Sequence, residues 1–186
     1  MSWLWYPYIP FGKITIIQGN PGDGKTTLAL NIAAILSNGE PMPESKDGTC
    51  TANIIYQSAE DCAEDTPKPR LISAGTECSK IAFIDISESR LTLNDRRIEE
   101  AIVGIDAHLM VLDPSQAYLG ENSEMNRADG SRPMMAQLSA IAARTGCAIV
   151  IIGHMNKASG SKGIYRGLDS IDISATARSQ TAQKPL

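Results

Sequence analysis

Five short runs of the chain are almost continuously apolar, at residues 14–18, 53–57, 81–85, 109–113 and 148–152. A strand with one wet face alternates apolar and polar residues, so unbroken runs predict strands covered on both faces, as in a parallel sheet. Longer segments between them predict helices over 25–36, 64–74, 93–103 and 134–144. Leu93-Asn94-Asp95 supplies an N-cap before Arg96, and Gly39, Gly75, Gly104 and Gly146 sit where helices should stop. Pro67 and Pro69 restrict the second helix near its start, because proline is tolerated only in a first turn. Residues 38–52 carry Pro41, Pro43 and Gly48 with little apolar content and read as a surface loop. Strand and helix alternate without an internal repeat, which implies α/β layering with right-handed crossovers.

The length of 186 residues suits one domain, and 42% hydrophobic with 20% charged residues is enough to build a core. Seventeen Lys and Arg against 21 Asp and Glu give a net charge of −4, so a nucleic-acid contact would have to be a local patch. No window reaches the roughly 18 apolar residues needed to span a bilayer, and the N-terminus lacks a basic signal region. The expectation is a cytoplasmic protein without a membrane partner. Cys50, Cys62, Cys78 and Cys147 show no CxxC spacing and read as free thiols.

Gly19-Asn20-Pro21-Gly22-Asp23-Gly24-Lys25-Thr26 matches G-x-x-x-x-G-K-[ST], after an apolar strand and before a helix. Glycines let backbone N–H groups turn onto phosphate oxygens, and the helix N-terminus adds partial positive charge. Lys25, expected to face solvent, should reach the β and γ phosphates. Thr26 should ligate Mg²⁺, and Thr27 extends the phosphate site along the helix. Asp113 closes the apolar run 108–112, as a metal-facing carboxylate at a strand's C-terminal end should; the alternative is a cap on the turn at Pro114. Because residue 114 is proline, the acidic base must lie elsewhere.

Glu60 stands just past the second strand, in Tyr56-Gln57-Ser58-Ala59-Glu60-Asp61. Here the chain resembles the RecA-like ATPases, and more closely the RepA-type hexameric helicases of plasmid and prophage replication. The resemblance rests on Gly19 to Thr26, Ser58-Ala59-Glu60-Asp61, Val111-Leu112-Asp113-Pro114, Ile152-Gly153-His154-Met155-Asn156-Lys157 and Tyr165-Arg166-Gly167, in family order. It implies a RecA-like P-loop NTPase fold, with a mostly parallel central sheet flanked by helices. The whole chain, 1–186, would be one ATPase domain, with a family-like core over 10–178 and a polar tail over 179–186. The tail is too polar for a buried strand, so the chain reads as shortened at its C-terminal end.

The resemblance further implies ATP and Mg²⁺ as cofactors, with Glu60 as the base that polarises water and Asp61 as its rival. His154 would sense the γ-phosphate. Arg178, or Arg166 as second choice, would be supplied in trans to a neighbouring site. Residues 155–163, with Lys157 and Lys162, would contact single-stranded DNA in the channel of a hexamer, while the shortened chain would be mainly monomeric. Gly120 to Arg132 is a second candidate DNA loop. Trp3, Trp5, Tyr6 and Tyr8 are expected to pack on the core or beside the nucleotide base rather than to stack DNA bases. Two other readings remain: a P-loop small-molecule kinase, and a nucleotide-binding module without turnover.

Overall fold

The computed structural model describes residues 2–45, 50–58, 67–118, 128–154 and 179–182. Strands β1 (Trp3–Trp5) and β2 (Ile9–Pro10) form an antiparallel hairpin ahead of β3 (Ile14–Gly19) and α1 (Lys25–Asn38). Next come β4 (Asn53–Ser58), α2 (Pro67–Ser73), β5 (Ile81–Ala82), α3 (Arg96–Ile105) and β6 (Ala107–Asp113). The chain continues into α4 (Ala128–Thr145), β7 (Ala148–His154) and β8 (Ser179–Ala182). The main sheet has the order β5-β4-β6-β7-β3-β8, and every pairing in it is parallel.

Both faces of this sheet are covered, which is why its central strands are apolar without alternation. Ile14, Ile16, Ile55, Met110, Leu112, Ile149 and Ile151 pack in one cluster with Ile98 and Ile102 of α3 and Leu138 and Ile141 of α4. Ile17, Ile54, Tyr56, Leu109, Val111, Val150 and Ile152 belong to the opposite cluster, with Ala29, Ile32, Ala33 and Leu36 of α1 and Leu71 of α2. Successive strand residues face opposite sides, so the three layers follow directly from the sequence parity. The hairpin adds Leu4 and Ile9 to the α1 side.

Local chemistry sets where the elements stop. Gly39 caps α1 in the left-handed region at φ 70°, with its N–H on Ile35 and Leu36 carbonyls. Gly75 and Gly146, after α2 and α4, also hold positive φ. Gly104, expected to be a stop, lies inside α3 instead, and Asp106 makes the left-handed cap at φ 52°. Helix α3 starts at Arg96 because the Asp95 side chain accepts the Arg97 N–H. The described part of α2 runs over Pro67–Ser73, with Pro67 and Pro69 among its first three residues. Helix α4 begins six residues before the expected Met134 and carries Pro133 within it.

The loop after α1 is at the surface as expected, with Met42 and Ala52 as its buried anchors. Two further expectations are corrected. The run 81–85 is a strand only through Ala82, because the Ile84 N–H bonds to Gln57 Oε1 at 2.9 Å rather than to the β4 backbone. The tail expected over 179–186 is not wholly a tail: Ser179-Gln180-Thr181-Ala182 is a strand, paired in parallel with Thr15 to Gln18. It lies at the sheet edge, where polar residues are tolerated.

Candidate nucleotide-binding site

The parallel sheet brings the C-terminal ends of its strands to one edge, where ligands of open α/β sheets bind. Strand β7 lies between β3 and β6, so the phosphate loop after β3 and Asp113 at the end of β6 are separated by one strand. Gly19 is in register with His154, and Ser58 with Asp113. Residues 19 to 26, 58, 113 and the backbone of 154 are thereby gathered on one rim.

Gly22 and Gly24 hold φ of 88° and 79°, a region that costs side-chain-bearing residues energy. Gly19 is glycine for a different reason: a Cβ there would lie 2.8 Å from Asp23 Oδ2. That carboxylate oxygen instead accepts the Asn20 N–H at 2.6 Å, and the Asp23 N–H returns to the Asn20 carbonyl at 3.2 Å. The loop is thus cross-braced by its own residues. Gly24 is the N-cap of α1 and provides no side-chain cap, so the first turn at Lys25, Thr26 and Thr27 has donors suited to an anion. Pro21, Gly22 and Gly24 are exposed along this face.

Lys25 is not solvent-facing as expected. It is 4% exposed, and its Nζ donates to the carbonyls of Gly19 at 3.0 Å and Asn20 at 2.7 Å. The ammonium is therefore held inside the curve of the loop, which explains how a cation survives burial here. Thr26 Oγ1 donates to Asp113 Oδ2 at 2.8 Å, across 87 residues of sequence. The parity of β6 turns Asp113 to the same side as Leu109 and Val111, the side α1 covers.

A hydroxyl and one carboxylate make a hard oxygen pair. Magnesium is commonly held by one or two carboxylates together with substrate phosphates, so Thr26 and Asp113 beside a phosphate loop fit that ion. Among the described residues no cluster of three or more His, Cys, Asp or Glu could hold a metal by itself.

Sequence reasoning missed a tyrosine at this rim and a second one buried in the other core cluster. Tyr56 Oη donates to Asp113 Oδ2 at 3.3 Å from the buried face of β4. Tyr118 is 2% exposed, and its hydroxyl has no hydrogen-bond partner among the described residues. Burial, reinforced by the Asp113 charge, pushes both phenols well above their ordinary pKa. The available signal was a tyrosine inside the otherwise aliphatic run Asn53-Ile54-Ile55-Tyr56.

Glu60 and Asp61, and with them the base, lie outside the described residues, as do Lys157, Lys162, Arg166 and Arg178. His154 is described through its backbone, at the last position of β7. Of the aromatic N-terminus only Trp5 packs against the core as expected, with its Nε1 donating to the Pro43 carbonyl at 3.0 Å; Tyr6 and Tyr8 are exposed and instead contact Trp3 edge-on at 5.3 Å and Trp5 at 4.9 Å.

An all-parallel sheet with a braced phosphate loop, and a carboxylate one strand removed that holds the loop's threonine, defines a RecA-like P-loop ATPase. The chain belongs to the AAA domain family, whose model matches residues 1–160. It is also similar to the DNA repair protein RadA of Halalkalibacterium halodurans, 28% identical over 150 residues, and to that of Bacillus subtilis, 27% identical over 150 residues. Each alignment covers 78% of this chain and 28% of the relative, so the chain spans well under a third of either protein. No helix among the described residues is long and apolar enough to cross a membrane.

Proposed function

We propose that the chain is the Mg²⁺-dependent ATP-hydrolysing core of a DNA-acting motor, of the RepA-type helicase kind or a related repair and recombination ATPase. The observation that carries this reading is the Thr26–Asp113 hydrogen bond, which joins the phosphate loop to the end of β6. In this reading, Gly19 to Thr27 wrap the phosphates with backbone N–H groups, and Lys25 exchanges a carbonyl partner for phosphate oxygens. Thr26 and Asp113 would hold Mg²⁺, which supplies charge neutralisation on the phosphates.

Glu60 takes the proton of the attacking water; the register of Ser58 with Asp113 supports this, since the chain leaves β4 beside the carboxylate. His154, at the end of the strand paired with Gly19, reads the γ-phosphate. Arg178, or Arg166, reaches a neighbour's site in a homo-hexamer of a longer form, where an arginine in trans can raise rates by roughly 10³ to 10⁵. Lys157 and Lys162 bind single-stranded DNA. The names of the RadA relatives, which are DNA repair proteins, support DNA as the partner.

The test is ATP turnover with and without single-stranded DNA, in wild type and Glu60→Gln. Turnover stimulated by DNA and lost in Glu60→Gln is expected, with ATP binding retained by the variant. Phosphate transferred to an acceptor, or binding without turnover, overturns the motor reading.

A further inference from the structure

We propose that Tyr56 is a positioning residue of this site: its phenol O–H, donated to Asp113 Oδ2 beside the bond from Thr26, fixes the orientation in which the carboxylate meets a nucleotide-borne divalent cation. This rests on the nucleotide reading above and adds to it a residue outside the phosphate loop and outside the acidic pair of the sequence motifs.

Three observations converge. First, both bonds to Asp113 land on the same oxygen, from Thr26 at 2.8 Å and from Tyr56 at 3.3 Å. A carboxylate turns about its last side-chain bond with broad preference, so two donors on Oδ2, from different elements, select one rotation and turn Oδ1 away from both. Second, the donors come from different elements. Thr26 is in the first turn of α1, while Tyr56 is on β4, which is paired directly with β6 through Tyr56↔Val111 and Ser58↔Asp113. The first donor sits where a metal-bound phosphate would compete for it; the second is anchored in the sheet. Third, Tyr56 is 1% exposed, so water does not displace its hydroxyl from the carboxylate. A hydrogen bond from a neutral donor to a buried charged group is among the stronger ones.

Tyr118 provides the internal comparison. It is a similarly buried phenol that feels the Asp113 charge but packs in the other core cluster, and its hydroxyl has no hydrogen-bond partner among the described residues. Removing that hydroxyl deletes the same kind of atom without releasing Asp113.

The experiment titrates Mg²⁺ against a fluorescent ATP analogue in the full chain, for wild type, Tyr56→Phe, Tyr56→Met and Tyr118→Phe, alongside affinity in EDTA and thermal melting without nucleotide. Either Tyr56 variant is expected to keep its affinity in EDTA while the Mg²⁺ midpoint rises about tenfold, the size of one hydrogen bond to a charged group; Tyr118→Phe leaves the midpoint in place. A midpoint shift below threefold in the Tyr56 variants overturns the proposal. So does a parallel loss of affinity in EDTA, or failure of both variants to fold, since each would make the tyrosine merely structural. A wild type that binds no nucleotide, or binds it without any effect of Mg²⁺, removes the nucleotide reading itself and the proposal with it, an outcome distinct from a wild-type Mg²⁺ response that Tyr56→Phe leaves untouched.

Discussion

Lys25 is the side chain at which binding and folding are expected to part. Its ammonium is 4% exposed and satisfied by two backbone carbonyls, so the desolvation cost of the charge is offset mainly by those bonds. Methionine keeps the length and packing of the stem and removes the desolvation cost of the charge, which offsets the two carbonyl hydrogen bonds it gives up. Lys25→Met is therefore expected to melt at the wild-type temperature or above it, while its affinity for ATP falls at least a hundredfold; calorimetric melting and equilibrium binding measure the two separately. A fall of many degrees would show that the loop depends on the ammonium for its shape. Tyr118 tests the same accounting from the other side. A buried hydroxyl without a partner costs stability, so Tyr118→Phe should be neutral or more stable by up to about 1 kcal/mol in denaturant unfolding. Neither position could be read this way from sequence: lysine in a phosphate-loop motif says what it binds, and nothing about which carbonyls lie within 3 Å of its nitrogen.

At the scale of elements, α3 depends on one cap. Asp95 accepts the Arg97 N–H at 2.9 Å and also holds the Arg97 guanidinium, which itself reaches the carbonyls of Asp85, Ser89 and Arg90. The cap and the preceding loop are thus tied by one pair of side chains. Asp95→Ala should destabilise by about 1 kcal/mol, and Asp95→Asn by less, since asparagine still caps. Side-chain hydrogen bonding to Arg97 holds the Asp95 carboxyl below its ordinary value. With the folded pKa depressed, the unfolded chain takes up the proton first as pH falls. The contribution is therefore complete above the unfolded value near 3.8 and lost as pH drops through the folded one. Melting curves for wild type and Asp95→Asn should converge below about pH 4 and separate above it; a constant gap would mean that charge is not what Asp95 contributes. This cap was legible in the sequence, as were the five core strands, because each depends on residues adjacent in the chain. The end of β5 and the position of Gly104 were not. One is set by a side chain of β4, 27 residues away, and the other by an aspartate that takes the left-handed position glycine was expected to fill.

Across the whole molecule, the sheet order decides which predictions of the sequence survive. Parity along β4 and β6 is local, but that both faces carrying Tyr56 and Asp113 turn toward α1 is a property of the assembled layers, and so the tyrosine bond to Asp113 was invisible in the motif. The strand β8 was missed for the complementary reason. The run Ser179-Gln180-Thr181-Ala182 is polar in sequence, and as the outermost strand of the described sheet it is held by its backbone ladder to β3. That ladder runs along Thr15 to Gln18, the part of β3 that leads into Gly19 and the phosphate loop. Ending the chain after residue 178 would leave β3 as the edge, exposing the backbone of a strand that is otherwise wholly buried. Each lost backbone hydrogen bond is worth about 1 kcal/mol net, and for a domain of this size a loss of roughly 2 kcal/mol lowers the melting temperature by about 5 °C. The shortened protein should melt lower by that amount and self-associate through its bared edge, as read by light scattering. Because Lys25 is held by the carbonyls of Gly19 and Asn20 at the end of that same strand, loosening β3 should also weaken ATP binding several-fold. Unchanged melting, monodispersity and affinity in the shortened chain would show that β8 adds nothing to the sheet or to the loop it supports.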